Sequence, residues 1–410
     1  MRKKARSLIA ASAVAASALI AARPCLGSGF LIYDLSGMGM ARASAVSADD
    51  VEPAAIWFNP AFLTDLPGVN AQAGGVFITS QASFSQAGVP GETESNRGNF
   101  FLPTVYATGK ITDIVAVGMG VYSAFGIGIR WPDDWVGRES IIHASLQTAT
   151  FNPTVAVRVH PQVSVAAGFD AIRGITDQQI GLPTLIGGEV RLGAGAWGFG
   201  FNLAALYKIV PDRLQVALTY RSRVNLDFSG NANFTPANPD FQPSLPTQSA
   251  KASIKLPDII TLGVMGRPRS DLALSFDANI VLWSTFDQID ITFQSAPSRV
   301  MVPNGMNTFT LRAGADWAFP PQVPGLHLRG GLIYDHTAIP STNLGPSLPD
   351  ADRFDIALGV GYGLGHFRGD LGYLLVLFLP HDSTTGQEGP IGTYNTIAQL
   401  VGLTLSATWP

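Results

Sequence analysis

Arg213-Leu214-Gln215-Val216-Ala217-Leu218-Thr219-Tyr220-Arg221-Ser222-Arg223-Val224-Asn225-Leu226-Asp227-Phe228 alternates apolar and polar side chains almost without interruption. Leu214, Val216, Leu218, Tyr220, Val224, Leu226 and Phe228 fall on one face of an extended chain, and Arg213, Gln215, Thr219, Arg221, Arg223, Asn225 and Asp227 on the other. Ser222 alone breaks the apolar side. Period two is the spacing of a β-strand with one face against oil and one against something polar. The pattern recurs in Phe354, Ile356, Leu358, Val360 and Tyr362, in Phe309, Leu311, Ala313, Ala315 and Trp317, and in Val401, Leu403, Leu405, Ala407 and Trp409.

Working outward, the alternation predicts about 14 strands, near 70–86, 101–111, 114–124, 146–159, 163–178, 187–209, 213–229, 250–266, 271–293, 307–319, 326–337, 353–364, 366–379 and 397–409. The connections alternate in length. Short ones lie at 112–113, 160–162, 211–212, 267–270, 320–325 and 365, and long ones at 87–100, 125–145, 230–249, 294–306, 338–352 and 380–396. Short periplasmic turns and long external loops are the habit of outer-membrane barrels. The expected fold is therefore all-β and membrane-embedded: a 14-stranded antiparallel transmembrane β-barrel, its last strand closing on its first. A soluble sandwich with one wet face is the alternative.

Composition agrees. Charged residues make up 14% of the 410, Gly numbers 44 and Pro 28, and the apolar share is 46% with no long apolar run. A barrel shows lipid only every second side chain, so it needs no hydropathy peak. Residues 1–27 read as an export signal, with basic Arg2, Lys3, Lys4 and Arg6 followed by Leu8 to Ala22. That apolar stretch is shorter than the roughly 20 residues of a spanning helix. Cleavage after Gly27 removes Cys25, the lone cysteine, so the mature chain is expected to hold no disulfide; acylation of Cys25 is the weaker alternative. Removing the signal's five basic residues from 26 leaves 21 against 30 acids, a net charge of −9, which disfavours nucleic acid as a partner.

Residues 28–68 lack the alternation. Gly37, Gly39, the small residues from Arg42 to Ala48 and Pro53-Ala54-Ala55 suggest short helices and loops that enter the lumen as a hatch, leaving 69–410 as the barrel. A periplasmic tail would leave Phe30, Leu31, Ile32, Tyr33, Ile56, Trp57 and Phe58 in water.

Ser28-Gly29-Phe30, Ala54-Ala55-Ile56-Trp57-Phe58-Asn59-Pro60-Ala61, Val121-Tyr122-Ser123-Ala124-Phe125-Gly126, Tyr220-Arg221-Ser222, Leu256-Pro257-Asp258, Leu328 to Asp335, Leu348 to Arg353 and Gly359 to Tyr362 resemble, in order and spacing, the FadL family of outer-membrane long-chain fatty-acid transporters. The resemblance spans the mature chain. It implies a hatch-plugged 14-stranded barrel with an apolar luminal pocket that carries fatty acids or aromatic hydrocarbons. It also implies an inward kink of the third strand, which opens the wall beside Asn59, Pro60 and Ala61 for lateral exit. Phe30 matches the aromatic whose movement couples hatch and pocket. Gly118, Gly120 and Gly126 are compatible with the kink, and Phe62 and Phe125 complete the candidate ligand-binding or gating set. The expected function is passive uptake of hydrophobic compounds, most readily long-chain fatty acids, by a monomer without cofactor. Outer-membrane lipid, lipopolysaccharide and the barrel-assembly machinery are the expected partners. Two features depart from the family. The loop at 179–186 is short, which shifts any external groove toward Trp131, Trp135 and Val136, and the chain ends Trp409-Pro410 where such barrels end in an aromatic.

Other chemistry finds little support. Gly193, Gly195 and Gly198 satisfy G-x-G-x-x-G but sit in an extended segment with no helix to follow. The six histidines show no metal-ligand spacing. A lipid-modifying enzyme would need a Ser-His pair, for which His327 and His366 are the available imidazoles. Asp350 and Asp352 could hold a surface cation or cap the turn started by Pro349. Arg213, Arg221, Arg223, Arg312 and Arg329 point inward by alternation, toward luminal acids or a carboxylate ligand. A structural or adhesive barrel without cargo is the third class of reading.

Overall fold

A computed structural model describes residues 29–49, 51–319 and 323–409. The export signal with Cys25, Ser28 and Pro410 lie outside them.

The chain forms a 14-stranded antiparallel barrel preceded by short helical elements. The strands are β1 Val69–Gln86, β2 Gly98–Lys110, β3 Val115–Tyr122 resuming as Gly126–Arg130, β4 His143–His160, β5 Val163–Gly181, β6 Gly188–Val210, and β7 Leu214–Arg221 resuming as Val224–Pro236. They continue as β8 Gln248–Leu256 resuming as Ile259–Arg269, β9 Leu272–Val281, β10 Thr308–Ala318, β11 Leu326–Asp335, β12 Arg353–Leu364, β13 Phe367–Phe378 and β14 Gly392–Trp409. The first and last strands pair along their whole length, from Val69 opposite Trp409 to Gln86 opposite Gly392. This seam removes both sheet edges and satisfies backbone groups that lipid could not.

Several strands run beyond their expected bounds. β4 begins at His143 inside a stretch expected to be loop, and β14 begins at Gly392 rather than 397. The expected strand at 271–293 is interrupted by a 3-10 turn, Trp283–Thr285, before a short strand Ile289–Phe293.

The single apolar face expected for Leu214 to Phe228 does not survive. Leu214, Val216, Leu218 and Tyr220 point outward, but Val224, Leu226 and Phe228 are buried inside, and Asn225 and Asp227 are the exposed ones. The reversal occurs at Ser222-Arg223 and is matched in β8 at Pro257-Asp258, where proline has no N–H to give the ladder. Asp258 holds the break: its carboxylate accepts from Arg223 N (3.0 Å), Arg223 Nε (2.9 Å) and the Tyr220 hydroxyl (2.7 Å). Below this level the outside faces lipid and the inside is polar. Above it the outside is polar and the inside apolar, as expected of a wall that has left the membrane.

The arginines divide accordingly. Arg221, Arg312 and Arg329 do point inward, each beside a luminal acid: Arg221 with Asp170 (3.1 Å), Arg312 near Asp34 (3.9 Å), and Arg329 with Asp316 and Asp370 (2.7 Å each). Arg213 lies in the exposed turn before β7, and Arg223 leaves the lumen for the break, its side chain 60% exposed.

Residues 29–49 and 51–68 lie inside the barrel and include two short helices, α1 Gly37–Ala41 and α2 Ala55–Phe58, and a 3-10 turn Pro60–Thr64. Ser36 caps α1 by accepting from Gly39 N, and Asn59 caps the turn by accepting from Ala61 N. The segment is tied to facing walls. Arg42 donates to Ser275 (2.7 Å), Asp277 accepts from Ser47 N (2.9 Å), and Gln72 accepts from Ala54 N (2.8 Å). Asp65 is gripped by Arg158 (2.5 Å) and Lys208 (2.6 Å).

Candidate functional site

The third strand supplies the site's geometry. β2 and β3 are paired only from Lys110 opposite Ala116 to Val105 opposite Val121. Above that, β3 breaks at Ser123-Ala124-Phe125, and its continuation Gly126–Arg130 pairs with β4 alone. The upper part of β2, Gly98 to Thr104, is paired with β1 on its other side. The wall is therefore unzipped between these two segments, and Asn96 N donating to the Arg130 carbonyl (2.7 Å) closes the slot at its top.

The break is held from inside by the start of the hatch. Ile32 N donates to the Ala124 carbonyl (2.8 Å), Gly126 N donates to the Phe30 carbonyl (3.1 Å), and Leu31 bridges Phe125. Two backbone groups at the break, the Ala124 carbonyl and the Gly126 N–H, are thus satisfied by Ile32 and Phe30.

Behind the slot lies a cavity of about 540 Å³, within the usual range for ligand pockets. Phe30, Ile78, Phe100, Leu102, Tyr122 and Phe378 supply much of its apolar lining. Its lining also includes outward residues on both sides of the slot, Phe101 and Pro103 of β2 and Gln147 and Ala149 of β4, so the cavity reaches from the lumen into the wall itself. Among the described residues, its charged ones are Asp34, Asp350, Arg353 and Asp355. Arg353 is already held by Asp335 (2.7 Å), lies 3.7 Å from Asp355, and packs on the Phe378 ring. Asp350, in the loop before β12, accepts from Ala338 N (2.7 Å) and the Thr337 hydroxyl (2.9 Å). Burial pushes its carboxyl up to about 6.

Of the residues expected at the site, Phe30 and Phe125 come together. Phe30 is buried, with ring centroids 6.1 Å from Phe125, 4.7 Å from Trp283 and 5.3 Å from Phe286. Asn59, Pro60, Ala61 and Phe62 are buried near the periplasmic end and are not part of the cavity lining. Gly118 and Gly120 lie below the break and serve the hatch instead. A Cβ on Gly118 would stand 2.8 Å from Ile56, and one on Gly120 3.0 Å from it. Trp131 and Trp135 stack at 4.5 Å and are buried in the external cap, leaving Val136 exposed. Asp352 accepts from Thr337 N (3.1 Å), so both acids of the Asp350 pair fasten the same turn.

Trp283, Phe286, Phe100, Gly128, and Asp34, Asp335 and Asp355 around Arg353 were not singled out from the sequence. Trp283 and Phe286 carry a faint signal, a spacing of three inside a period-two segment. The others become a group only when strands distant in sequence meet. Nor was the contact between Ser341 Oγ and His381 Nε2 (2.9 Å) singled out. His381 Nδ1 faces the Asp350 carbonyl (2.8 Å) rather than a carboxylate, so the imidazole clasps two loops. His327 meets Asp316 (2.7 Å) and His366 the Thr408 carbonyl (2.8 Å), each near a strand end and, among the described residues, with no serine partner. Gly193, Gly195 and Gly198 lie within β6.

Comparison with known proteins bears on the same barrel. A family model described as outer membrane protein transport protein (OMPP1/FadL/TodX) matches residues 18–374. The long-chain fatty acid transport protein of Escherichia coli (strain K12) is 23% identical, over 94% of this chain and 95% of that protein. The crystal structure of a Pseudomonas aeruginosa FadL homologue superposes with a TM-score of 0.84 at 19% identity, covering 93% of this chain and all of that one (100%). The Ralstonia pickettii toluene transporter TbuX gives 0.71 at 18%, covering 92% and 100%.

Proposed function

The chain belongs to the OMPP1/FadL/TodX family of outer-membrane channels for hydrophobic compounds, which are not enzymes, and from that premise we propose that it admits uncharged hydrophobic molecules, monoaromatic hydrocarbons before fatty acids. The ligand binds in the 540 Å³ chamber, moves down its gradient, and leaves sideways through the slot beside β3.

The observation that carries this reading is the charge of the chamber. Asp34, Asp350 and Asp355 face the space, and Arg353, its one cation among the described residues, already has two acids beside it. A ligand carboxylate would add a like charge in a partly dry site, which costs several kcal/mol unless it is neutralised. Toluene-sized rings bring no charge and can stack against Phe30, Phe100, Phe101 and Phe378. Long-chain fatty acids remain the second reading, favoured by the similarity to long-chain fatty acid transport proteins over 94% of this chain. As a closed barrel without edges it is proposed to act as a monomer, embedded in outer-membrane lipid and lipopolysaccharide after delivery by the assembly machinery.

The test is competition for a fluorescent apolar probe on purified protein at neutral pH, comparing toluene, hexadecanol and palmitate. Toluene and hexadecanol are expected to displace the probe more readily than palmitate. Tighter binding of palmitate than of hexadecanol would return the chamber to fatty acids. Mass spectrometry of copurifying ligand gives an independent answer.

A further inference from the structure

The unzipped stretch between β2 and β3 is not an open hole. Phe100, on the inward face of β2, lays its ring directly on Gly128 of the far segment: a Cβ built on Gly128 would stand 2.4 Å from two ring carbons, and Phe100 supplies all three of the nearest atoms. Gly98 makes room on the near side, where a Cβ would meet the same ring at 2.6 Å. On either side of this contact the chamber touches luminal residues (Leu102, Leu146) and outward ones (Phe101, Ala149). The ring thus lies across the path from lumen to lipid, with no backbone ladder beside it to hold the two wall segments together.

We propose that Phe100 is the gate of the lateral slot and Gly128 its seat, so that rotation of one aromatic side chain, and not movement of a strand, controls passage between chamber and membrane. The inference rests on the lateral exit of the preceding section and names the residue that regulates it. Aromatic rotamer changes need no broken backbone hydrogen bond, whereas moving Gly126–Arg130 would break its ladder with β4. Gly128 lacks a side chain because only a bare backbone lets the ring lie flush. Its role is steric, so adding one methyl should matter only while the ring is present.

The experiment compares hydrocarbon uptake by whole cells, at equal surface abundance, for Phe100→Ala, Gly128→Ala, the double variant and Ala149→Trp. Ala149→Trp fills the slot mouth from the lipid-facing side, where tryptophan is tolerated, and leaves the hatch untouched. Equilibrium probe binding in detergent is measured alongside. Phe100→Ala removes one of the rings that line the chamber and is expected to weaken probe binding modestly, yet to speed uptake several-fold because the gate is lost; faster uptake in spite of weaker binding is the signature of a gate. Gly128→Ala is expected to change uptake on its own and to have no effect in the Phe100→Ala background. Wild-type uptake in Phe100→Ala overturns the gate, as does a Gly128→Ala effect that is the same with and without the ring. If Phe100→Ala is silent while Ala149→Trp blocks uptake, the gate alone falls; if both are silent, the lateral exit falls with it.

Discussion

Phe30 packs into an aromatic box of Phe125, Trp283 and Phe286 while its carbonyl accepts from Gly126 N. One residue thus joins hatch, broken strand and chamber. Removing a buried Phe ring costs about 3–5 kcal/mol in a core, but here the loss should fall on the local docking of residues 30–32. Phe30→Ala is expected to alter both probe affinity and uptake while the barrel's heat resistance in detergent stays at wild type. Wild-type values for both at equal outer-membrane abundance would reduce Phe30 to packing. Asp350 gives a pH signature. Because burial raises its carboxyl to about 6, the folded loop keeps a proton that the unfolded chain gives up. The associated stability is present below the ordinary carboxylate range and is lost as pH rises through about 6. A permanently anionic probe such as an alkyl sulfonate should accordingly bind better as pH falls through this window, and Asp350→Asn should flatten the dependence. An unchanged slope in Asp350→Asn would assign the titration elsewhere. Ala61, which the family resemblance places beside the exit, is fully buried away from the chamber, so Ala61→Trp tests hatch packing.

At the scale of elements, the paired breaks in β7 and β8 decide where membrane ends and external wall begins. Asp258 takes hydrogen bonds that the interrupted ladder cannot. Asp258→Ala removes these hydrogen bonds from part-exposed donors that water can still reach, a loss of about 0.5–1.5 kcal/mol for each bond. It should sensitise Val224–Pro236 and Gln248–Leu256 to protease while the lower barrel holds; equal resistance to wild type would show that the break needs no such clasp. The alternation in Arg213 to Phe228 made the strand legible but concealed this reversal, because even positions stay apolar on both sides of Ser222 while their surroundings exchange. Sequence periodicity reports which residues share a face, and a two-residue break changes what the face meets. The number of spanning strands and the final seam were readable for the opposite reason: Leu403, Leu405 and Trp409 meet lipid on an unbroken strand. The slot was not readable, since Phe100 and Gly128 meet only where a ladder is missing, and absent pairing leaves no periodic trace.

For the whole molecule, the polar lower lumen and the apolar upper chamber share one closed wall, and the hatch bridges them. Its ties are distributed, with Arg42 on Ser275, Ser47 on Asp277 and Asp65 between Arg158 and Lys208. No single contact is therefore expected to release it. Asp65→Asn weakens one anchor and should leave uptake near wild type, whereas combining it with Asp277→Asn should raise leakage of small hydrophilic dyes. Absence of leakage in the combined variant would show that apolar packing alone retains the hatch.

The seam between Val69–Gln86 and Gly392–Trp409 carries a consequence for biogenesis. The hatch is made first yet ends up enclosed by strands made after it, and the wall cannot shut until the last of them arrives. The nascent sheet must wrap around the hatch, because threading it through a finished ring would mean unbuttoning the seam. Most strands pair with their neighbours in sequence, but the closing step brings opposite ends of the polypeptide together, and so long a loop closure makes that last step slow. A circular permutant that moves residues 29–68 behind Trp409 would close around an empty bore, and its loose plug would remain accessible to protease from the periplasm.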